Sequence, residues 1–255
     1  MRWSRIFSRD WIVSTLLVLA GAAVCIRLGI WQLDRLAQRQ AFNSHVLEMQ
    51  ALPTLQLPST EDLVAQEYRR ARVRGTFDHE LQVAIRNQAH DGQYGYRLFS
   101  PLRIDGARGS SDGSQMAVLV DRGWIPAEGN EQPGAWRKYD ESGIIEVQGV
   151  IRLGQAGPSF GGIAQPTPIP GERAAMFWMY ADVNGIGEQL PYAILPVYIQ
   201  SDGTASQGAL PIAGTPTLEL TEGPHRGYAM QWFAFAAILV IGYPIYVGRR
   251  EQVTT

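Results

Sequence analysis

The stretch His225-Arg226-Gly227-Tyr228-Ala229-Met230-Gln231-Trp232-Phe233, continued through Ala234 to Val247, decides the fold of this chain. From Tyr228 to Val247 it holds no ionisable group other than tyrosine. Roughly 20 apolar residues at about 1.5 Å each are what the hydrocarbon core of a bilayer requires. The run therefore predicts a transmembrane helix over 223–247. Gly223 and Pro224 mark its start, because proline in a first turn gives up only an amide that would lack a partner there. His225 falls in that first turn, at the membrane surface, where a neutral imidazole can offer a nitrogen lone pair to a metal. Helical spacing sets His225, Tyr228 and Trp232 on one face, an imidazole over an aromatic wall. The same residues also fit an interfacial aromatic belt beside a solvated histidine.

A second apolar run, from Trp11 to Ile30 and broken only by Arg27, follows Arg2, Arg5 and Arg9. A cleavable signal peptide shares this charged start and the small residues Ala20-Gly21-Ala22-Ala23. The apolar run continues through Leu28 and Ile30 to Trp31, however, which gives it bilayer length and favours an uncleaved span over 11–31. Arg2, Arg5 and Arg9 flank one span and Arg249 and Arg250 the other, so the positive-inside rule puts 1–10 and 248–255 in the cytoplasm. Residues 32–222 are then expected outside it. Arg35 and Arg39 oppose that orientation but are outnumbered. The outer ends of both spans must share a leaflet. Arg27, Trp31 and Arg35, spaced by four on one stripe, can therefore converge on His225, or serve as ordinary snorkelling anchors.

Past Trp31 the sequence keeps helix formers and no breaker through Phe42, predicting a helical stalk that stops before Pro53. Beyond it the hydrophobic period changes to two. Tyr68–Phe77, Leu81–Ile85, Tyr96–Leu102, Met116–Val120 with its continuation to Pro126, Ile144–Arg152, Met176–Tyr180 and Ala193–Gln200 read as strands. Asp182–Leu190 reads as a short helix. Met116–Val120 is continuously apolar and is expected to be a central strand covered on both faces. The arginines of Tyr68–Phe77 are expected to guard a sheet edge. Asp105–Ser114 reads as a loose hairpin connection, Gly154–Gly171 as a long Pro/Gly-rich loop that can serve as a mobile flap on the ligand side, and Ser201–Pro216 as a flexible return to the membrane. The fold class expected is a membrane protein with two transmembrane α-helices flanking a mainly antiparallel β extracytoplasmic domain.

The remaining chemistry is sparse. The chain has 255 residues, 18% of them charged, and a formal net charge of −2 without a basic patch, which argues against nucleic acid as a partner. Its one cysteine, Cys25, supports neither a disulfide framework nor a cysteine metal site. No phosphate loop, dinucleotide fingerprint, zinc helix or nucleophile elbow is present. Asp78-His79 and His90-Asp91 can be turn residues or parts of a metal or hydrolytic site, and Asp121-Arg122 a structural or a functional pair. His45 reads as solvated.

Leu28-Gly29-Ile30-Trp31-Gln32-Leu33-Asp34-Arg35 resembles the GxWQxxR signature of the Surfeit locus protein 1 family. Further similar segments follow in order: Val73–Asp78, Gly95-Tyr96 with Pro101-Leu102, Val118–Pro126, and His225 with Tyr228–Phe233. Where the family often has asparagine before the histidine and an apolar residue after it, this chain has Pro224 and Arg226. The resemblance implies a non-enzymatic membrane chaperone for cytochrome c oxidase assembly. It implies transient binding of haem, haem a in particular, with His225 as iron ligand. The implied partners are the catalytic subunit of the oxidase, the enzyme of haem a synthesis and membrane lipid. The implied location is a bacterial-type plasma membrane, or the mitochondrial inner membrane in a eukaryote. On this reading Tyr228, Trp232 and Trp31 would pack against the macrocycle and Arg27 and Arg35 would pair with its propionates. Two other readings stay open: a membrane-anchored scaffold for oxidase subunits without haem, and an extracytoplasmic enzyme around Asp121, Arg122 and His79.

Overall fold

Two helices long and apolar enough to cross a membrane flank a mainly β domain in the computed structural model of the chain. The structure describes residues 8–108, 115–155, 157, 175–203, 210–214 and 220–253. The chain divides into two compact units, Met1–His45 with Glu219–Thr255, and Val46–Leu218.

In the first unit, α1 runs Ile12–Ala51 and α3 runs His225–Val253, in agreement with the predicted span, the stalk that ends before Pro53 and the helix start at Gly223-Pro224. The amide of Tyr228 donates to the Pro224 carbonyl at 3.1 Å, so the helical pattern reaches back to the proline. At about 1.5 Å per residue, the 40 residues of α1 extend some 60 Å, about twice a hydrocarbon core. The helices lie antiparallel: Thr15 meets Tyr243, Gln32 meets His225 and Asn43 meets Leu220. The seam is narrow. On α1, Thr15, Ala22, Gly29 and Asn43 are buried at multiples of seven residues; on α3, Ala229 and Ala236 are buried one heptad apart. Large apolar side chains face outward instead, among them Leu16, Leu17, Val24, Ile30, Met230, Ile238 and Ile241. Apolar outside and small or polar inside is the arrangement lipid favours, since lipid tails supply no hydrophobic force between helices and packing must come from close backbones. At Gly29 a Cβ would lie 2.6 Å from the Phe233 ring, so only glycine lets that ring rest on α1.

The second unit holds β1 Leu55–Leu57, β2 Arg70–Phe77, β3 Val83–His90, β4 Gln93–Arg108, β5 Gln115–Pro126, β6 Ile145–Leu153, β7 Phe177–Trp178 and β8 Ile194–Ser201, with the short helix α2 at Val183–Gly187. Strand order is β1-β2-β6-β8-β5-β4-β3-β7, and β2 also pairs with β4, which closes β2, β6, β8, β5 and β4 into a ring. Most pairings are antiparallel; β1–β2, β3–β7 and β5–β8 are parallel. Ala71, Val73, Phe77, Leu102, Ile104, Val118, Val120, Val147, Ile151, Val197 and Ile199 belong to one core cluster drawn from all five ring strands. β5 is the central strand the sequence predicts, with Ala117 through Ile125 buried, because β4 and β8 pair along it and side chains pack on both its faces.

Two expectations change. β2 is not an edge strand: β6 pairs with it on one side and β1, then β4, on the other, so Arg70, Arg72 and Arg74 project outward from a closed ring. Closure removes edges, and no guard is needed there. Asp105–Arg108 belongs to β4, with Arg108 opposite Gln115. Residues 109–114, and nearly all of the 154–171 loop, lie outside the described residues. Within 201–216, Ile212 makes a two-bond bridge to Trp124, with N···O distances of 2.9 and 2.7 Å. This close crossing is why Gly123 is glycine. Its φ is +128°, and a Cβ would lie 2.4 Å from the Ile212 carbonyl oxygen.

Candidate functional site

His225 opens α3 half-buried, and its Nδ1 lies 2.8 Å from Oε1 of Gln32, a side chain only 9% exposed in the α1 seam. With the carboxamide oxygen accepting, Nδ1–H donates and Nε2 keeps its lone pair. Nε2 lies near Gly223, where a Cβ would stand 3.6 Å from it; Gly223 has φ +69°, a conformation that favours glycine, so residue 223 sets no side chain against that edge of the ring. Three hydrogen bonds fasten the turn to α1: Arg39 Nε to the Thr221 carbonyl at 3.1 Å, Gln40 Nε2 to Glu222 Oε1 at 2.9 Å, and Asn43 Nδ2 to the Leu220 carbonyl at 2.9 Å. The imidazole is thus fixed from both sides of its helix start.

Of the residues the sequence proposes, Trp232 lies on the seam side of α3 with His225, half-buried and edge-on to Phe235 at 5.9 Å. Tyr228 is offset from His225 by about 60° around the helix and is 48% exposed. Trp31 and Arg35 are exposed and form their own pair, the guanidinium 5.6 Å from the ring centroid, while Arg35 also donates to Gln38. Arg27 is exposed on α1. Among the described residues His225 hydrogen-bonds to Gln32 rather than to either arginine.

The sequence reading placed none of Gln32, Arg39, Gln40 and Asn43 at the site. The signal that could have found three of them is the seven-residue spacing itself: Cys25, Gln32 and Arg39 form a second such row beside Gly29, Leu36 and Asn43. A polar residue in such a row of a membrane helix asks for a partner.

The other candidates are engaged within the β domain. Asp121 pairs with Arg97 at 2.7 Å and accepts from the Gly123 amide at 3.1 Å, while burial pushes its carboxyl above the usual range. Arg122 binds Glu141 at 3.1 Å and the Tyr139 carbonyl, and lies on Phe77; burial lowers its guanidinium from the ordinary value. His79 reaches Glu141 through Nε2 at 2.8 Å, with Nδ1 3.2 Å from Asp140. Arg122 and His79 therefore clasp the same segment, 139–141, and Asp121 faces a different partner. His90 lies over Trp124, ring centroids 5.2 Å apart. Among the described residues no three His, Cys, Asp or Glu side chains are placed to share a metal ion.

An apolar helix pair joined through small and polar residues, with a ring-closed β domain between its helices in sequence, defines a two-helix membrane protein carrying one large β domain. The chain belongs to the SURF1 family, whose family model matches residues 19–237. It is similar to a SURF1-like protein of Caenorhabditis briggsae, 22% identical over 91% of this chain and 74% of that one. It is also similar to Surfeit locus protein 1 of Xenopus tropicalis, 26% identical over 90% of this chain and 74% of that one. An uncharacterized SURF1-like protein of Mycobacterium tuberculosis is 26% identical over 91% of this chain and 81% of that one.

Proposed function

We propose that this protein is a non-enzymatic assembly factor of a haem-copper cytochrome c oxidase that binds haem, haem a in particular, and hands it to the catalytic subunit. The observation that carries this reading is the single half-buried imidazole at a membrane helix start, held through Nδ1 by Gln32 with its Nε2 edge beside Gly223. One neutral nitrogen donor next to an apolar, aromatic helix surface suits a metalloporphyrin, which brings four of its own nitrogen ligands and a large apolar face. Trp232 and Phe233 supply part of that surface. Arg35 and Arg27 are the cations available for propionates, and a charge-assisted bond there is typically worth about 1.5–3 kcal/mol.

A cargo that must leave is better served by one axial histidine than by two strong ligands. On this reading both termini are cytoplasmic and residues 32–222 lie on the other side of a plasma-type membrane, towards the oxidase partner and the source of haem a. The test is the visible spectrum and haem content of protein purified in detergent after equal haem supply. His225→Ala should lose the Soret band while remaining inserted and folded. His45→Ala, His79→Ala and His90→Ala should keep it, since the first is exposed and the others are engaged in the β domain. Unchanged haem content in His225→Ala would rule out His225 as the ligand, and a parent protein with no Soret band would transfer the role to a haem-free scaffold.

A further inference from the structure

We infer that Gln32 is a positioning residue that selects Nε2 of His225 as the nitrogen presented to the metal and keeps the resulting bond weak enough for delivery. This rests on the haem-binding reading above. A carboxamide buried in a seam of small and apolar residues is costly unless it is hydrogen-bonded, and its oxygen finds that bond in the 2.8 Å contact to Nδ1. A neutral imidazole has one donor and one acceptor nitrogen. An amide oxygen can only accept, so it holds the proton on Nδ1 and leaves the lone pair on Nε2, the edge near Gly223. The partner of a metal-bound histidine's free N–H fixes ring orientation and the electron density on the ligating nitrogen. A carboxylate there would pull the proton strongly and tighten the metal bond. A neutral amide orients the ring with a weaker pull, which suits a protein that passes its cargo on.

The two halves of the inference are tested on full-length protein in detergent, with helical content checked by far-UV circular dichroism. In haem-free protein labelled with 15N-histidine, His225 should show the Nδ1–H tautomer. Gln32→Glu should keep it, and Gln32→Leu should convert it to a mixture. After loading with haem a, transfer to excess haem-free myoglobin should be faster in Gln32→Leu by roughly 10- to 100-fold and slower than the parent in Gln32→Glu. A Gln32→Leu protein with the parent's tautomer and transfer rate, alongside loss of haem in His225→Ala, would overturn the role of Gln32 and leave the haem reading intact. Retention of haem in His225→Ala would overturn His225 as the ligand, and with it the ligand-selecting role, even where the tautomer follows Gln32; a parent protein that takes up no haem would overturn the haem reading itself. Should Gln32→Leu fail to insert, Gln32→Glu decides alone: a transfer rate equal to the parent's counts against the inference.

Discussion

The helix pair and the β ring invert one another. In the ring, Val73, Leu102, Val118, Val120, Ile151 and Ile199 are buried and Arg70, Arg72 and Arg74 face outward. In the pair, Leu16, Leu17, Met230 and Ile238 face outward, while Thr15, Gln32 and Asn43 are buried with alanines and glycines. The difference is the solvent. Water drives apolar side chains into a core, whereas lipid tails are as apolar as leucine and leave polar groups as the ones that seek each other. Polar pairs therefore mark contacts in the pair, and His225–Gln32 is one of a set with Thr15–Tyr243 and Asn43–Leu220. In the ring, buried polar pairs such as Arg97–Asp121 are exceptions among apolar side chains.

The sharpest way to break this comparison is to damage one unit and look at the other. Trp124→Ala should destabilise the β domain by about 3–5 kcal/mol, as expected for removing a large buried aromatic. Gly123→Val should cost at least as much, since it must adopt a left-handed φ and push Ile212 out of its bridge. Limited proteolysis of the full chain should show cleavage spreading through 46–218 while the helix pair stays protected. Loss of protection in both units together would show that they fold as one.

A smaller effect separates the units by pH. Burial, reinforced by the Asp121 carboxylate, pushes the Tyr198 hydroxyl up to about 12. Burial and Asp78 push Tyr192 in the same direction. A folded-state value above the unfolded one, about 10, means that the folded form holds its proton more tightly, so the contribution is complete below pH 10 and is lost as pH rises towards 12. Roughly 2–3 kcal/mol should disappear from the β domain over that window, measured by urea unfolding at stepped pH. Tyr198→Phe should flatten the slope. The smallest effect lies in the pair: Tyr243→Phe removes a 2.8 Å bond to Thr15 and a 3.2 Å bond to Ser14, and seam hydrogen bonds in membranes average about 0.6 kcal/mol. Steric trapping or thermal denaturation in detergent would register it, and a loss of several kcal/mol would show that the seam depends on its polar clasps far more than on close packing.

The sequence alone determined both apolar helices, the start of α3 at Gly223-Pro224, the stalk and the central position of β5, because each follows from local hydropathy, period and backbone chemistry that neighbouring residues carry themselves. His225 as the candidate iron ligand came from the family resemblance, because the residues around it fit a solvated histidine beside an aromatic belt as well. Ring closure was not legible: the pairing of Gly75–Phe77 with Leu102–Ile104 depends on two strands meeting across the fold, and it turned a predicted edge into a paired strand. Nor was the partner of His225. Residues 32 and 225 are 193 apart in the chain, and only the antiparallel register of two helices decides that the nitrogen at the head of α3 meets a carboxamide on α1 while Tyr228 stays exposed.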